Sequence, residues 1–313
     1  MNNSATHNIL QGCVYMPQIK TNKLAIFSTS TLFQLVSLSS ALLLLSIFAF
    51  MAVQSWPLWQ PLSLINFITG TDWQPLSAPP LFGIGTMILS TFWTALGAVF
   101  LATPLGFSCA IFLAEFAPVW LASLIRPVLN LLTGIPSVVY GFLGAAVLVK
   151  YFEVTFDMAS GESLFCASLV LTLMVLPYIV STAESALRSV PGEYRQVALG
   201  LGVSKVYFVL KVLLPMAKRG LLGALILAFG RAAGETMAVL MLAGNTLVLP
   251  TSWFSKGEPL PALIALELGT SEVGSLHYQA LFGAGLVLLV FVVSVNLLFT
   301  LFRRGRRNEV NQP

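Results

Sequence analysis

The sequence predicts an all-α integral membrane protein with six transmembrane helices and both termini in the cytoplasm, and three observations support this prediction. Hydrophobic residues make up 57% of the 313-residue chain and charged residues only 9%, whereas soluble proteins carry about 25% charged residues. The apolar residues fall into six runs, each long enough to span a bilayer core, which needs about 20 residues. Lysine and arginine gather on one side of these runs.

Each run is expected to be helical because a helix satisfies its backbone polar groups within the segment, without water. The second run contains Pro104-Leu105-Gly106, which predicts a kinked or tilted helix. The first run follows a polar tail, residues 1–26, and is too long for a signal-peptide core, so we expect a retained anchor. The predicted helices cover residues 27–53, 82–114, 124–150, 163–186, 215–243 and 277–302.

The distribution of basic residues orients these helices. With the N-terminus inside, thirteen of the sixteen lysine and arginine residues lie in cytoplasmic segments, including a basic tail at 303–313. Lys150 and Lys256 lie outside, and Arg231 lies within the membrane. The net charge of +4 therefore indicates orientation, and no nucleic-acid partner is expected.

Three connecting segments are long. The periplasmic loop 54–81 is rich in tryptophan and proline, which predicts an interfacial segment. In the outer loop 244–276, residues Leu260–Leu268 are expected to form a short surface helix. The inner loop 187–214 predicts a short helix, a turn at Gly202 and a second short helix that ends at Pro215.

The cysteines and histidines indicate neither a disulfide framework nor a metal site. Cys13, Cys109 and Cys166 form no CxxC pair, and His7 and His277 have no metal-ligand company in the sequence. The sequence has no clustered nucleophile and base of the kind a membrane enzyme needs. It also has no Walker A motif, so no ATP site is expected in this chain. We therefore expect a non-catalytic subunit that binds no cofactor.

The fifth predicted span contains a charged pair. Arg231 and Glu235 are four residues apart, so on a helix they share one face. A charge at mid-bilayer costs roughly 3 kcal/mol on insertion scales. Such residues are therefore candidates for a transport pathway, although a purely structural ion pair between helices is the alternative.

The inner loop carries a recognisable spacing. Gln196-Val197-Ala198, Gly202, Val212, Leu214 and Pro215 match the coupling loop of ABC importer permeases, in which Glu-Ala-Ala, Gly and Leu-Pro recur at these intervals. Gln196 and Val197 depart from the first two positions. The chain thus resembles ABC importer permeases of the type I fold. An amphipathic helix on anionic membrane lipid is the alternative reading of this loop.

Two further stretches narrow the resemblance. Leu132-Thr133-Gly134-Ile135-Pro136-Ser137-Val138-Val139-Tyr140-Gly141-Phe142 and Gly230-Arg231-Ala232-Ala233-Gly234-Glu235-Thr236-Met237-Ala238-Val239, with Gly244-Asn245, resemble the phosphate-specific permeases of bacterial ABC importers. The second stretch is similar to their PstC subunits. The resemblance covers residues 84–302, the expected ABC importer transmembrane domain, and its coupling loop at 188–215. It implies inorganic phosphate as the substrate and the bacterial inner membrane as the location.

The resemblance implies roles for named residues. Arg231 would pair with phosphate, because its guanidinium group is planar and always charged. Glu235 would partner Arg231 or an arginine of the second permease. The other residues expected along the substrate pathway are Ser137, Tyr140, Thr236 and Asn245, which could instead bridge packed helices. The residues expected to couple the chain to an ATPase are Glu193, Arg195, Gln196, Ala198, Gly202, Lys205 and Pro215.

The resemblance also implies an assembly. We expect a second, PstA-like permease, two copies of a PstB-like ATPase that uses ATP, and a PstS-like periplasmic binding protein. A permease for molybdate or sulfate is the first alternative. An ion-coupled secondary transporter is a remote one, because such a protein needs more acidic residues in its spans than Glu235, with Glu184 near a span end.

Overall fold

The computed structural model describes residues 23–157 and 159–304, and it describes side chains within residues 31–157 and 159–297. Most of both predicted tails, with His7 and Cys13, lies outside the described residues. Of the described residues, those from Lys23 to Ala49 form one compact unit, and those from Phe50 to Arg304 form another. The second unit contains every element discussed below except most of the first helix.

The described chain is mostly helical. Its α-helices are α1 (Lys23–Ser55), α2 (Leu64–Thr69), α3 (Gly85–Ile111), α4 (Val119–Gly134), α5 (Ser137–Leu143), α6 (Lys150–Phe156), α7 (Leu164–Arg188), α8 (Gly192–Gly200), α9 (Lys205–Phe208), α10 (Leu214–Ala233), α11 (Met237–Leu242), α12 (Leu260–Glu267) and α13 (Leu276–Arg304). A 3₁₀ turn and three π-helical turns cover Trp56–Trp59, Phe112–Phe116, Gly144–Val149 and Val209–Leu213. A two-stranded antiparallel ribbon, β1 (Trp73–Gln74) and β2 (Leu81–Phe82), pairs Trp73 with Phe82.

The predicted number of spans is confirmed. Within the described residues, six helical stretches are long and apolar enough to cross a membrane. Four of them agree closely with the predicted first, second, fourth and sixth spans. The six stretches are Thr31–Trp59, Gly85–Phe116, Ser137–Phe156, Leu164–Arg188, Lys205–Ala233 and Leu276–Leu297.

The predicted bounds of the third span, 124–150, were wrong. Helix α4 ends at Gly134, Ile135 is extended, and a new helix begins after Pro136. Proline lacks a backbone N–H and pushes the preceding residue out of the helical region. The apolar run is therefore divided into the shorter helix α4 and a spanning stretch that starts at Ser137.

The predicted fifth span, 215–243, was also wrong at both ends. The helical stretch begins at Lys205, passes through the π-helical turn and ends at Ala233. Pro215 does not end the second helix of the inner loop, because the helix continues through it from the π-helical turn Val209–Leu213 into α10. The second inner-loop helix, α9, therefore continues directly into the membrane span.

Small residues hold the two central helices together. Helix α3 packs along α7, and an added Cβ at Gly97 or Gly106 would lie 2.6 Å from a side-chain atom of α7. At this close approach, the hydroxyls of Ser168 and Thr172 donate to carbonyl oxygens of α3, at 3.2 and 3.3 Å. Small residues and interhelical hydroxyl bonds are the usual means of packing helices where lipid offers no hydrophobic driving force.

The loop 54–81 and helix α12 are more deeply packed than predicted. Trp56 is exposed, as expected of an interfacial residue, but Phe67 and Trp73 are buried against the start of α13. The prediction of a surface helix at Leu260–Leu268 was wrong for its first turn, because Leu260 and Leu263 belong to the same buried cluster. A proline-rich composition shows that a segment is irregular but not which of its side chains are buried.

The buried carboxyl group of Glu258, just before α12, is expected to make the stability of the protein depend on pH. Glu258 is 4% exposed. Burial raises its pKa to about 7, and the negative charge of Glu267 adds to the rise. Glu267 accepts a hydrogen bond from the Trp73 indole, at 2.9 Å, and its carboxylate oxygen lies 2.7 Å from Nε2 of His277. An ordinary glutamate in the unfolded chain releases its proton near pH 4.3.

Folded Glu258 therefore holds its proton over a range in which the unfolded chain has lost it. The resulting stabilisation is fully present below about pH 4.3 and is lost as the pH rises through about 7. We expect the free energy of unfolding in detergent to fall by about 1 kcal/mol per pH unit between about pH 5 and pH 7. Glu258→Gln is expected to flatten this slope, while Glu272→Gln, at an exposed acid nearby, should preserve it. Equal slopes in wild type and Glu258→Gln would contradict the assignment.

Candidate functional site

The candidate site lies where the fifth helical stretch breaks. Helix α10 ends at Ala233, and α11 begins only at Met237. Between them, the N–H groups of Gly234 and Glu235 bond back to carbonyl oxygens of α10, at 3.3 and 3.2 Å. Within a membrane, irregular backbone is tolerated where protein buries it or where it lines a cavity.

Arg231 and Glu235 form an ion pair at this break. Nη1 of Arg231 donates to Oε2 of Glu235 at 2.6 Å. The Glu235 side chain is only 5% exposed, whereas that of Arg231 is 40% exposed. The prediction that both residues share a helix needs correction, because Glu235 lies beyond the end of α10. The pair thus fixes the conformation of the break and leaves part of the Arg231 side chain accessible.

Sequence reasoning missed the neighbour of this pair, Tyr178. Its hydroxyl interacts electrostatically with Arg231 from the middle of α7. The two residues are 53 positions apart, so no local sequence pattern links them. Their contact follows only from the packing of α10 against α7.

The four neutral residues predicted for the pathway do not share one environment. The Tyr140 hydroxyl donates to the carbonyl oxygen of Leu132 at 2.9 Å, which ties α5 to α4 across the proline break. The Asn245 side chain donates to the Leu240 carbonyl at 2.8 Å and closes the end of α11. Thr236 lines a cavity of about 580 Å³ between the helix break, α12 and α13. Ser137, which is partly exposed, is the first residue of α5.

The inner loop forms the predicted helix-turn-helix, which we call the coupling segment, residues 188–207. Helix α8 is followed by a turn at Gly202, which has a φ of +67°. Glycine adopts this left-handed conformation without steric cost. Ser204 then caps α9 by accepting from the N–H of Tyr207 at 3.3 Å. These local features form the turn.

One arginine ties the coupling segment to the helices behind it. Arg195 pairs with Glu115 at 2.7 Å. It also donates to the carbonyl oxygens of Val190 and Leu187, at 2.9 and 3.2 Å. Its guanidinium group is thus directed towards the chain itself. The ammonium group of Lys205 lies 5.1 Å from the ring centroid of Phe116. Ala198 is partly buried against a cluster of buried side chains that includes Leu187 and Phe208.

The outer surface of the coupling segment combines polar and apolar side chains. Glu193 and Gln196 are exposed. Four large side chains, which a stable monomer would ordinarily bury, are exposed beside them: Tyr194, Val197, Leu199 and Leu201. Exposed apolar side chains grouped in this way mark a site for another protein or for the membrane. Pro215 is also exposed, but it lies inside the continuous helix beyond this surface.

Two glycines of the coupling segment allow a matched test of the turn. An added Cβ at Gly200 or at Gly202 would meet no atom within 4 Å, and only Gly202 has a positive φ. Gly202→Ala is therefore expected to destabilise the turn by about 1 kcal/mol through backbone strain alone. Gly200→Ala should slightly increase helix stability. Amide hydrogen exchange of α8 and α9 measures both effects, and equal changes in the two variants would contradict a strained turn.

Comparison with known proteins identifies a matching family and several relatives. Residues 102–308 match the family described as "Binding-protein-dependent transport system inner membrane component". A probable ABC transporter permease protein, YqgH of Bacillus subtilis, is 40% identical over 228 residues, which cover 73% of this chain and 74% of the relative. The phosphate transport system permease protein PstC of Haemophilus influenzae is 36% identical over 252 residues, covering 74% and 79%.

Solved structures agree on the fold. The chain is similar to a bacterial ABC transporter involved in the import of the acidic polysaccharide alginate, with a TM-score of 0.60 at 14% identity, covering 90% of this chain and 98% of that one. The inward-facing MetNI methionine ABC transporter gives a TM-score of 0.50 at 18% identity, covering 68% and 93%. The type I ABC importer permease fold expected from the resemblance is confirmed.

These findings agree with the molecule itself. Six spans, a break beside a charged pair and a protruding helix-turn-helix occur in one chain. Family membership further implies a partner permease, an ATPase and a binding protein. The chain therefore belongs to the binding-protein-dependent transport system inner membrane components, the permease subunits of ABC importers, and is a multi-pass protein of the inner membrane.

Proposed function

We propose that this chain is the permease subunit of an ATP-driven importer that carries inorganic phosphate across the inner membrane. The observation that carries this proposal is the partly exposed side chain of Arg231, held beside the helix break at the end of the fifth stretch. Relatives named as phosphate transport permeases support the choice of substrate.

Arg231 supplies the attraction that an anion needs inside the membrane. Its hydrogen bond to Glu235 uses Nη1, and a guanidinium group has five N–H donors in total. The remaining N–H groups form a planar fork that can donate hydrogen bonds to the oxygens of phosphate. Glu235 neutralises the arginine between transport events and keeps phosphate from binding too tightly to leave.

The neutral residues divide into two proposed roles. Thr236 and Ser137 add hydroxyl groups near the break in the fifth stretch and the start of α5, where phosphate can accept hydrogen bonds. Tyr140 and Asn245 already donate to carbonyl oxygens. They hold the short helices α5 and α11 in place around the pathway.

The coupling segment receives the force of ATP hydrolysis. Its exposed apolar side chains, with Glu193 and Gln196 between them, dock on one of two PstB-like ATPase subunits, which hydrolyse ATP while this chain remains non-catalytic. Arg195 and Lys205 brace the segment from behind, and Gly202 shapes its turn. A PstA-like permease completes the pathway, and a PstS-like protein delivers phosphate from the periplasm.

A single helix links the coupling segment to the substrate site. The stretch Lys205–Ala233 is helical throughout its 29 residues, a length of about 43 Å at 1.5 Å per residue. The coupling turn at Gly202 lies just before its first end, and Arg231 lies near its last residue. Displacement of the coupling segment when the ATPase subunits close is therefore transmitted along α10 to the helix break, which alternates access between the two sides.

Uptake in cells tests the substrate. Phosphate-starved cells that lack this chain are complemented with the wild-type gene, and labelled phosphate uptake is measured with sulfate or molybdate as competitor. Restored uptake that neither competitor inhibits is the expected result. If the wild type leaves phosphate uptake unchanged, the phosphate assignment is wrong, and competition by sulfate or molybdate would instead support a permease for that oxyanion.

A further inference from the structure

A second polar cavity, of about 660 Å³, lies between α4 and the second half of α7. We call it the basic cavity. Its lining includes Arg126, Asn130, Tyr178, Ser181, Glu184 and Arg188. Its lining extends along α7 as far as Arg188, where the coupling segment begins, and none of its arginines belongs to the Arg231 site.

One buried carboxylate organises two arginines in this cavity. Oε1 of Glu184 accepts hydrogen bonds from Nη2 of Arg126, at 2.7 Å, and from Nε of Arg188, at 2.8 Å. Arg188 also donates to the Leu113 carbonyl oxygen at 2.8 Å. The Glu184 side chain is 11% exposed, while those of Arg126 and Arg188 are 46% and 49% exposed. Two positive charges share one negative charge, which leaves a net charge of +1.

Most of the hydrogen-bonding capacity of the two guanidinium groups remains available. Together they have ten N–H donors, and the three bonds above use three of them. Asn130 and Ser181 add an amide and a hydroxyl to the same lining, and both are exposed. A fixed pair of guanidinium groups with neutral donors beside it is the chemistry that recognises a phosphoryl oxyanion.

One residue, Tyr178, adjoins both the basic cavity and Arg231. Along α7, Tyr178 and Arg188 are separated by about 15 Å, given the rise of 1.5 Å per residue. An anion released by Arg231 therefore meets a second positive site on its way towards the coupling end.

We propose that the basic cavity binds phosphate as a second station, after Arg231 and before release on the ATPase side. This inference rests on the proposed function, because it takes phosphate as the transported anion. Glu184 sets the strength of the site, since it holds both arginines in place and cancels half of their charge. The phosphoryl group of an anionic lipid shares this chemistry and is distinguished by the test below.

The test uses charged thiol reagents on the assembled transporter in vesicles. The native Cys13, Cys109 and Cys166 are replaced by alanine, and Ser181→Cys places one thiol in the basic cavity. The control is Ser189→Cys, an exposed position at the same end of α7 that does not line the cavity. Each modification rate by an anionic and a cationic methanethiosulfonate is divided by the rate of the same reagent at the control.

In phosphatidylcholine vesicles without phosphate, the anionic reagent is expected to react about tenfold faster than the cationic one, because positive potential concentrates anions. Millimolar phosphate should bring this ratio close to one. Arg126→Gln should remove both the ratio and its response to phosphate, while Arg188 keeps Glu184 paired. Arg126→Lys should preserve the ratio and so exclude misfolding as the cause. A ratio that phosphate does not change would overturn the proposal.

Two further arms separate the remaining readings. If phosphatidylglycerol collapses the ratio while free phosphate does not, the basic cavity is a lipid headgroup site and the proposal is wrong. Uptake of phosphate by the cysteine-free parent is measured separately. Uptake without any effect of phosphate on labelling contradicts the second station alone, whereas an effect on labelling without uptake supports oxyanion binding and contradicts the proposed function.

Discussion

Arg231→Ala is expected to lower phosphate uptake by about 10- to 100-fold at matched membrane levels. A hydrogen bond to a charged group contributes about 1.5–3 kcal/mol, and each 1.4 kcal/mol corresponds to a factor of ten. The substitution also leaves Glu235 buried without the partner that it has at 2.6 Å. An unpaired carboxylate at this point would repel the anion as well as destabilise the break, so both effects reduce transport.

Three variants separate a substrate role from a structural one. Arg219→Ala removes an exposed charge from the same helix and should leave uptake unchanged. Arg231→Lys keeps the charge but loses the planar fork, so we expect partial uptake. The exchange Arg231→Glu with Glu235→Arg restores a pair in reversed order. Normal uptake by the exchanged pair would show that Arg231 and Glu235 only hold helices together.

Leu199→Asp is expected to uncouple the permease from its ATPase. Leu199 is 76% exposed on the coupling segment, so the substitution creates no cavity inside the chain. In a docked complex, however, it would place an unpaired carboxylate in an apolar contact, which costs several kcal/mol. We expect the ATPase no longer to co-purify with the permease and uptake to fall by at least about tenfold.

The matched control lies outside the coupling segment. Val273 is also an exposed apolar residue, in the loop before α13. Val273→Asp introduces the same charge and should leave co-purification of the ATPase intact. If Leu199→Asp retains the ATPase as well as Val273→Asp does, the ATPase does not bind the coupling segment. Binding of α8 to anionic lipid would then be the better account of its exposed residues.

Hydropathy alone was sufficient to predict how many helices cross the membrane. The first, second, fourth and sixth spans agree with the structure because each is an uninterrupted helical stretch with one continuous apolar run. The third span and the end of the fifth were misplaced because Pro136 and Gly234 interrupt a helix without lowering hydropathy. The start of the fifth was misplaced because the helix continues through Pro215. Ile135-Pro136 and Gly234 interrupt the backbone, while the average over a window of side chains hardly changes.

The candidate site shows the same division. Arg231 and Glu235 are four residues apart, and this short spacing was enough to expect a pair. The interaction of Arg231 with Tyr178 was not expected, since it joins distant parts of the chain. Likewise, Arg195 was predicted as a coupling residue, but its bond to Glu115, 80 positions away, shows how it is held.

Features that depend on residues close together in the sequence could therefore be predicted from it. These are the membrane class, the number of spans, the Gly202 turn and the charged pair. The bilayer thickness, the helical rise and the preference of glycine for positive φ act over a few turns at most. The basic cavity depends instead on Arg126 and Glu184, which are 58 positions apart. Their meeting is decided by how α4 packs on α7, because partners so distant in the chain are chosen by the shapes of whole helices and not by any local pattern.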